Sequence, residues 1–279
     1  MGRFSEREEQ EIIDRYEKGE TASALAREFG CSKSTINRML DRRGIKKHSR
    51  SYAIRTGHGH SINENAFDIV TPDSAYWIGF LMADGCVSKV NALNLRLAEK
   101  DIDHIKKFKW FLSATHEIST GEKGTGYGKD VSVCSIFQVN SAHLCEELKE
   151  YGVVPNKTFI AKVSESLAFN RHFWRGVVDG DGCISWYKSG HYLYPKLSLV
   201  GSEFLLQQFR SFVKEIYPST NAMVTPLKNI FQFHISGKAA EAVIKELYTN
   251  AGTALDRKEA KAREVLAFAA ERKNKRPKG

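Results

Sequence analysis

The sequence predicts an α+β protein: two related halves, each reading helix, two strands, helix, two strands, helix, behind a small all-α helix-turn-helix module. Three observations predict it. Ala75–Ser88, AYWIGFLMADGCVS, returns as His172–Ser185, HFWRGVVDGDGCIS, with Trp77/Trp174, Gly79/Gly176, Asp84/Asp181 and Gly85/Gly182 all 97 positions apart. Cys86/Cys183 and Ser88/Ser185 continue the match, and agreement at one fixed offset is the signature of a duplicated unit. Behind each copy, the spacing of apolar residues switches between two and three-to-four in the same order. Ahead of both, Thr21–Arg43 carries the spacing of two helices joined by a tight turn.

The N-terminal module comes first. Residues 5–18 read as a helix. In the following pair Ala26 fits a close helix crossing, Gly30 the turn that needs positive φ, and Leu25, Phe29, Cys31, Ile36 and Met39 the buried positions. Ser32 or Ser34 is a suitable cap for the second helix. That helix would expose Lys33, Thr35, Asn37, Arg38 and Arg42, side chains suited to phosphates and base edges, although a helical hairpin with a charged solvent face would read the same way. Arg42–His60 has no acid and reads as a basic linker. The expected division is 1–45 module, 46–72 linker, 73–162 first half, 163–270 second half and 271–279 a basic disordered tail.

Within the halves, Leu93-Asn-Leu-Arg-Leu97 and Lys196-Leu-Ser-Leu199 alternate, as do Ile136-Phe-Gln-Val-Asn140 and Ile230-Phe-Gln-Phe-His234. Ile102, Ile105, Phe108 and Phe111 answer Phe204, Leu205, Phe209 and Phe212 at helical spacing, and further helices are expected near Ala142–Tyr151 and Lys238–Tyr248. Alternation puts the leucines and phenylalanines toward a core and Asn94, Arg96, Gln138, Asn140, Lys196, Ser198, Gln232 and His234 outward. This outward set holds no carboxylate, which suits base-edge readout; an ordinary solvated sheet face usually mixes in Asp and Glu. Lys188, with Trp186, Tyr187, His191 and Tyr192, falls in a hairpin that could meet sugar-phosphate. Residues 121–129 form a Gly-rich hairpin tip lacking the phosphate-loop spacing. His58 and His60 read as linker residues.

Composition bounds the function. The 279 residues suit about two domains, and 42% hydrophobic with 27% charged residues is ordinary for a chain with a real core. Lys and Arg number 42 against 33 Asp and Glu, a formal charge of +9, which draws polyanions through long-range fields and counterion release. Five cysteines without a CxxC pair fit reduced thiols inside a cell. No apolar run reaches the ~18 residues of a membrane span, and the start, Met-Gly-Arg-Phe-Ser-Glu, reads as neither signal peptide nor myristoylation site. The expected location is the cytoplasm or an equivalent space.

The chemistry lies in the repeated motif. On helices, Gly79 and Ala83 share one face, as do Gly176 and Gly180, so two backbones could approach closely. Gly inside a helix costs up to ~1 kcal/mol against Ala, and a packing requirement explains why both halves keep it. Asp84 and Asp181 end these helices, each before a Gly suited to a left-handed cap. A carboxylate there meets the negative end of the helix dipole, and two together repel unless a cation sits between or beside them. A hard divalent ion, Mg2+ or Mn2+, suits such a site, and paired metals could activate water at a phosphodiester. The alternative is that each Asp caps only a local turn.

The doubled motif resembles that of the LAGLIDADG homing endonucleases of the single-chain type, over about 200 of the 279 residues. The resemblance implies αββαββα halves meeting at the motif helices, and a saddle of sheets straddling double-stranded DNA. It also implies a monomer that cuts both strands of a long asymmetric site to leave short 3′ overhangs. Asp84 and Asp181, with the neighbouring Gly85 and Gly182, take the metal positions. Lys157 and Lys258 match the basic residue expected after each half's last helix, and Glu99 the polar residue at a strand end; Gly201 or Ser202 stands there in the second half. Met82 departs from the pattern where the second half keeps Asp179. A non-catalytic DNA-binding regulator and an intron maturase binding intron RNA remain alternatives.

Overall fold

The computed structural model describes residues 4–18, 20–45, 47, 60–124, 131–155, 160–190 and 192–274. In the module, helix α1 (Glu6–Glu17) starts at a capping box: Ser5 Oγ accepts from Glu8 N, and Glu8 Oε2 accepts from Ser5 N at 2.8 Å. Helices α2 (Ala22–Glu28) and α3 (Lys33–Arg42) follow, with Gly30 at φ +60° in the turn and Ser32 capping α3. Ile12, Leu25, Ala26, Ile36, Met39 and Leu40 form a small core of their own, with Phe29 and Cys31 partly buried against it. The buried Glu9 carboxylate binds both Arg42 and Arg43, tying α1 to the end of α3.

The first half runs α4 (Pro72–Asp84), β1 (Gly85–Val87), β2 (Ala92–Ala98), α5 (Ile102–Phe111), β3 (Ser119–Gly124), β4 (Val131–Asn140) and α6 (Ala142–Glu150). The second runs α7 (Arg171–Asp181), β5 (Gly182–Ser189), β6 (Tyr192–Gly201), α8 (Glu203–Ile216), β7 (Thr225–Leu227), β8 (Ile230–Ser236) and α9 (Gly237–Tyr248), followed by α10 (Asp256–Asn274). Each half folds an antiparallel four-stranded sheet, β1-β2-β4-β3 and β5-β6-β8-β7. The expected αββαββα order therefore holds in both.

One face of each sheet is apolar. Leu93, Leu95, Leu97, Phe137 and Val139 are buried in the first, Leu197, Leu199, Phe233 and Ile235 in the second. The same aromatic triad closes both cores. Trp77 lies 4.8 Å from Phe108, which lies 5.9 Å from Phe137; Trp174 lies 5.0 Å from Phe209, which lies 5.7 Å from Phe233. Full burial of one such side chain stabilises by about 1.5–3 kcal/mol, so the triads hold each motif helix firmly on its sheet.

The halves differ in their arms. β5 and β6 pair over eight residues where β1 and β2 pair over three, whereas β3 and β4 pair over six where β7 and β8 pair over three.

Three expectations need correction. The first half begins before residue 73, because residues 60–71 pack onto the body: Phe67 is fully buried, Asn63 N donates to Leu112 O, and Glu64 accepts from Ser141 Oγ. The ring of His60 stacks on that of His116 at 4.7 Å. Second, α10 follows the last expected helix and runs four residues into the expected tail; its Ala262, Val265 and Ala269 are buried. Third, Gly85 and Gly182 end their helices with extended backbone, φ −78° and −86°, and not in the left-handed region. Glycine is required there because a Cβ at Gly85 would stand 2.7 Å from Leu81 O, and one at Gly182 2.6 Å from Val178 O.

Candidate active site and nucleic-acid interface

The helices α4 and α7 lie backbone to backbone. A Cβ on Gly79 would stand 2.0 Å from Phe173 O, and one on Gly176 would stand 2.1 Å from Tyr76 O. At the far end of the pair a Cβ on Gly180 would stand 2.3 Å from Ala83 Cβ and 3.2 Å from Asp84 Oδ2. The Asp84 carboxylate therefore lies against the backbone one residue before Asp181. Both helices end at these aspartates and pass directly into β1 and β5, which brings two carboxylates and two negative dipole ends to one place. A concavity of about 200 Å3 opens beside Asp181, between Met82 and Ala83 and the Val200–Ser202 end of β6.

Lys258 belongs to this site. It lies in the first turn of α10, 8% exposed, and its ammonium donates to Val178 O at 3.2 Å and to Gly182 O. The carbonyl of Gly182, a residue expected at a metal position, is thus engaged by Lys258. Burial pushes the Lys258 ammonium pKa down, while Asp179 and Asp84 are near enough to pull it up.

Asp179 is a buried hub. Its carboxylate accepts from Tyr76 Oη at 2.7 Å, Tyr248 Oη at 2.6 Å and Leu255 N at 2.7 Å. Burial raises its pKa to about 6, against the lowering effect of these three donors. Because Tyr76 Oη donates to Asp179, His104 Nε2, 2.9 Å away, donates to Tyr76. Burial lowers the His104 pKa to about 3, which keeps the imidazole neutral. Arg175, also buried, holds Thr253 O and Leu247 O and lies over the Tyr76 ring. Residues of both halves and the loop before α10 are joined in one network.

The other site expectations fare unevenly. Lys157 lies outside the described residues, as do His58, His191 and residues 48–59 of the expected linker. Glu99 is exposed in a single 3-10 turn, Glu99–Asp101. Gly85 pairs with Leu95 and Gly182 with Leu199, an offset of 104, yet Phe108 answers Phe209, an offset of 101. Glu99–Asp101 is therefore a three-residue insertion with no counterpart in the second half.

The outward sheet faces carry the expected polar rows. Asn94 pairs with Cys86 on one side and Gln138 on the other; Ser198 likewise lies between Cys183 and His234. Lys196 lies between Ser185 and Ser236, and Gln232 between Val200 and Thr225. Arg96, Gln138, Asn140, Lys188 and His234 are exposed. Trp186 is not available to DNA from this hairpin: its ring packs on Phe268 at 4.9 Å, with the Lys261 ammonium over it. In the module Lys33 and Arg38 are exposed on α3, Thr35 and Asn37 half-buried, and Arg42 is engaged with Glu9.

A second group with metal-ligand chemistry, Asp68, His143 and Glu147, stands near the N-terminal end of α4. Thirteen residues of helix separate it from Asp84, about 20 Å at ~1.5 Å rise each, so it is no part of the Asp84–Asp181 site. Among the described residues no helix is long and apolar enough to cross a membrane.

Comparison with known proteins supports this architecture. Residues 2–43 match the family of helix-turn-helix domains of resolvase. Curated proteins give no sequence match. Among solved structures, the LAGLIDADG homing endonuclease I-GzeII in complex with its DNA target superposes with a TM-score of 0.53 at 12% identity, over 75% of this chain and 94% of that one. The body has the LAGLIDADG fold. I-SmaMI, a LAGLIDADG homing endonuclease bound to cleaved DNA, covers 74% of this chain and 91% of its own at 13% identity, TM-score 0.49. Full-length DUF199/WhiA from Thermatoga maritima covers 75% and 65% at 17% identity, TM-score 0.46. In this fold α4 and α7 are the paired helices that carry the repeated motif, and they end at Asp84 and Asp181. The hub at Asp179 and the helix carrying Lys258 escaped sequence reasoning. One available signal was the alanine-rich, strongly helix-favouring run after Leu255; the other was the presence of Asp179 on a face otherwise made of core residues.

Proposed function

We propose that this protein is a metal-dependent endonuclease that cuts both strands of a long, asymmetric double-stranded DNA site, leaving short 3′ overhangs. The observation that carries this reading is the junction of α4 and α7. Two helices that end in carboxylates are brought together by glycines that admit no side chain, and bound cations would offset the mutual repulsion and the two dipole ends gathered there. The donors there are carboxylate oxygens, the hard ligands that suit Mg2+ or Mn2+. Asp84 and Asp181 would hold the ions; when bound, these supply an acidified water and neutralise charge on the phosphodiester.

The chain's own residues do the rest. Lys258 brings a buried cation to the same site, suited to a scissile phosphate or its leaving oxygen, and Lys157 is proposed for the corresponding place in the first half. Asn94, Arg96, Gln138, Asn140, Lys188, Lys196, Ser198, Gln232 and His234 offer donors and acceptors of the kind that read major-groove edges. On α3, Lys33, Thr35, Asn37, Arg38 and, where not held by Glu9, Arg42 extend the contact beyond the body. The formal charge of +9 draws the duplex in. The chain acts as a monomer, since both halves of the site lie within it.

The test is cleavage of duplex DNA carrying the uninterrupted insertion locus, with Mg2+ or Mn2+, by the unmodified protein and by Asp84→Asn and Asp181→Asn. Site-specific double-strand cleavage that both substitutions abolish is expected. Tight, specific binding without cleavage in either metal would overturn the reading and leave a DNA-binding protein.

A further inference from the structure

We propose that Asp179 is a positioning residue: it holds Lys258 at the Asp181 end of α7, and it does so for only one of the two strand-cutting centres. The inference rests on the endonuclease reading for its second clause alone.

The geometry runs from carboxylate to ammonium in two steps. Asp179 Oδ2 accepts from Leu255 N at 2.7 Å. Leu255 immediately precedes α10, and its own carbonyl accepts from Lys258 N at 2.8 Å and Glu259 N at 3.0 Å. The buried carboxylate therefore fixes the first turn of α10 from outside, where the helix dipole favours a negative charge. Lys258 is in that turn, and its ammonium reaches back to Val178 O and Gly182 O, on either side of Asp181. Asp179 is itself held, between Tyr76 of the first half and Tyr248 of the second. No rotamer of Lys258 needs to be selected at the moment of reaction, because its backbone is anchored and its stem is buried.

Among the described residues the first half shows no such device. The residue 97 positions before Asp179 is Met82, buried and without a charge. Among the described residues between α6 and α7 there is only the single turn Glu165–Leu167 and no helix like α10. The duplicated unit has diverged at the one position that would anchor a lysine, so the two centres are supported unequally.

Two readouts test this. The first is lysine reactivity in the intact protein without DNA, read by mass spectrometry after brief acetylation, with Lys261 on the same helix as internal reference. Asp179→Leu removes both the anchor and the charge; Asp179→Asn removes the charge with little change of shape and keeps the test alive if the leucine variant does not fold. The Lys258 to Lys261 reactivity ratio should rise at least tenfold in the first and by a smaller factor in the second. An unchanged ratio in a folded variant overturns the positioning role. The second readout is cleavage of a duplex labelled on each strand in turn. One strand should be cut at least tenfold more slowly while the other stays within twofold, so that nicked duplex accumulates. Equal slowing of both strands would show Asp179 to be a general brace and overturn the one-centre claim. A wild-type protein that cuts nothing would sink the endonuclease reading, while the reactivity ratio would still decide whether Asp179 positions Lys258.

Discussion

Gly176→Ala places a methyl group where the structure has no room for it. In an exposed helix this change would stabilise by up to ~1 kcal/mol through backbone entropy. Here the new Cβ would stand 2.1 Å from Tyr76 O and 2.6 Å from Phe80 N. Ordinary contact is near 3.4 Å, so the two helices must part by roughly 1 Å at that level. Overpacking of a tight core costs about 1–3 kcal/mol, and it is backbone, not a flexible side chain, that must yield. The sum predicts a net loss of about 1–2 kcal/mol, a fall in Tm of several degrees for a body of this size. The same parting would move Asp84 relative to Asp181, and a displacement of this order is enough to cost about a hundredfold in a positioned reaction. Thermal unfolding of the variant, with cleavage and binding measured at a temperature where it is folded, checks both. A variant as stable as the parent, or more so, would refute the backbone-to-backbone contact. Cleavage lost only in proportion to binding would refute the link from helix separation to the carboxylate pair.

Three further outcomes are expected. His104 is buried neutral with its pKa lowered to about 3, so its contribution to stability is complete above about pH 6.5 and is lost as pH falls, because the unfolded chain takes up a proton that the folded one refuses. Relative to wild type, His104→Gln should lose less stability between pH 6.5 and pH 4.5, by up to about 1.4 kcal/mol per pH unit, as read from urea midpoints. Identical pH slopes would count against the buried neutral imidazole. Lys33→Ala and Arg38→Ala should each weaken binding to a site-bearing duplex and lower the salt slope by about one; slopes unchanged in both would remove the module's α3 from the interface. Trp186→Ala should loosen α10, whose Phe268 and Lys261 lie on that ring, at a cost of about 1–2 kcal/mol. Amide hydrogen exchange should then accelerate along residues 256–274 and not along α5.

The features legible in the sequence were those enforced by repetition and period. Trp77 and Trp174 predicted two matching cores because the triads they close recur with the same spacing, and Gly79 and Gly176 predicted the helix contact because nothing else explains glycine inside two helices. Asn94 and Gln138 were placed on one face correctly, since strand alternation leaves no choice once Leu93, Leu95 and Phe137 are buried. What failed depended on partners distant in the chain. The Gly85 and Gly182 caps were read as left-handed because glycine usually serves that need; here the chain turns at once into a strand, and the constraint is Leu81 O or Val178 O. Trp186 read as a DNA contact because α10 was not foreseen. Asp179 was legible only as the acid kept where the first half has Met82; its three donors come from residues 76, 248 and 255, and no local pattern announces them.

That hub also has a history written into it. The residue matched to Tyr76 by the repeat is Phe173, just as Met82 is matched to Asp179. The pairing of a hydroxyl with a carboxylate therefore occurs once across the junction, and the mirrored positions are both apolar. A symmetric dimer made of two second halves would set Phe173 opposite each Asp179 and leave each buried carboxylate one donor short. A dimer of two first halves would set each Tyr76 hydroxyl against Met82 and leave it only His104 as a partner. The two copies now recognise each other in preference to themselves. Neither copy can replace the other at the junction: the halves are a lock and its key.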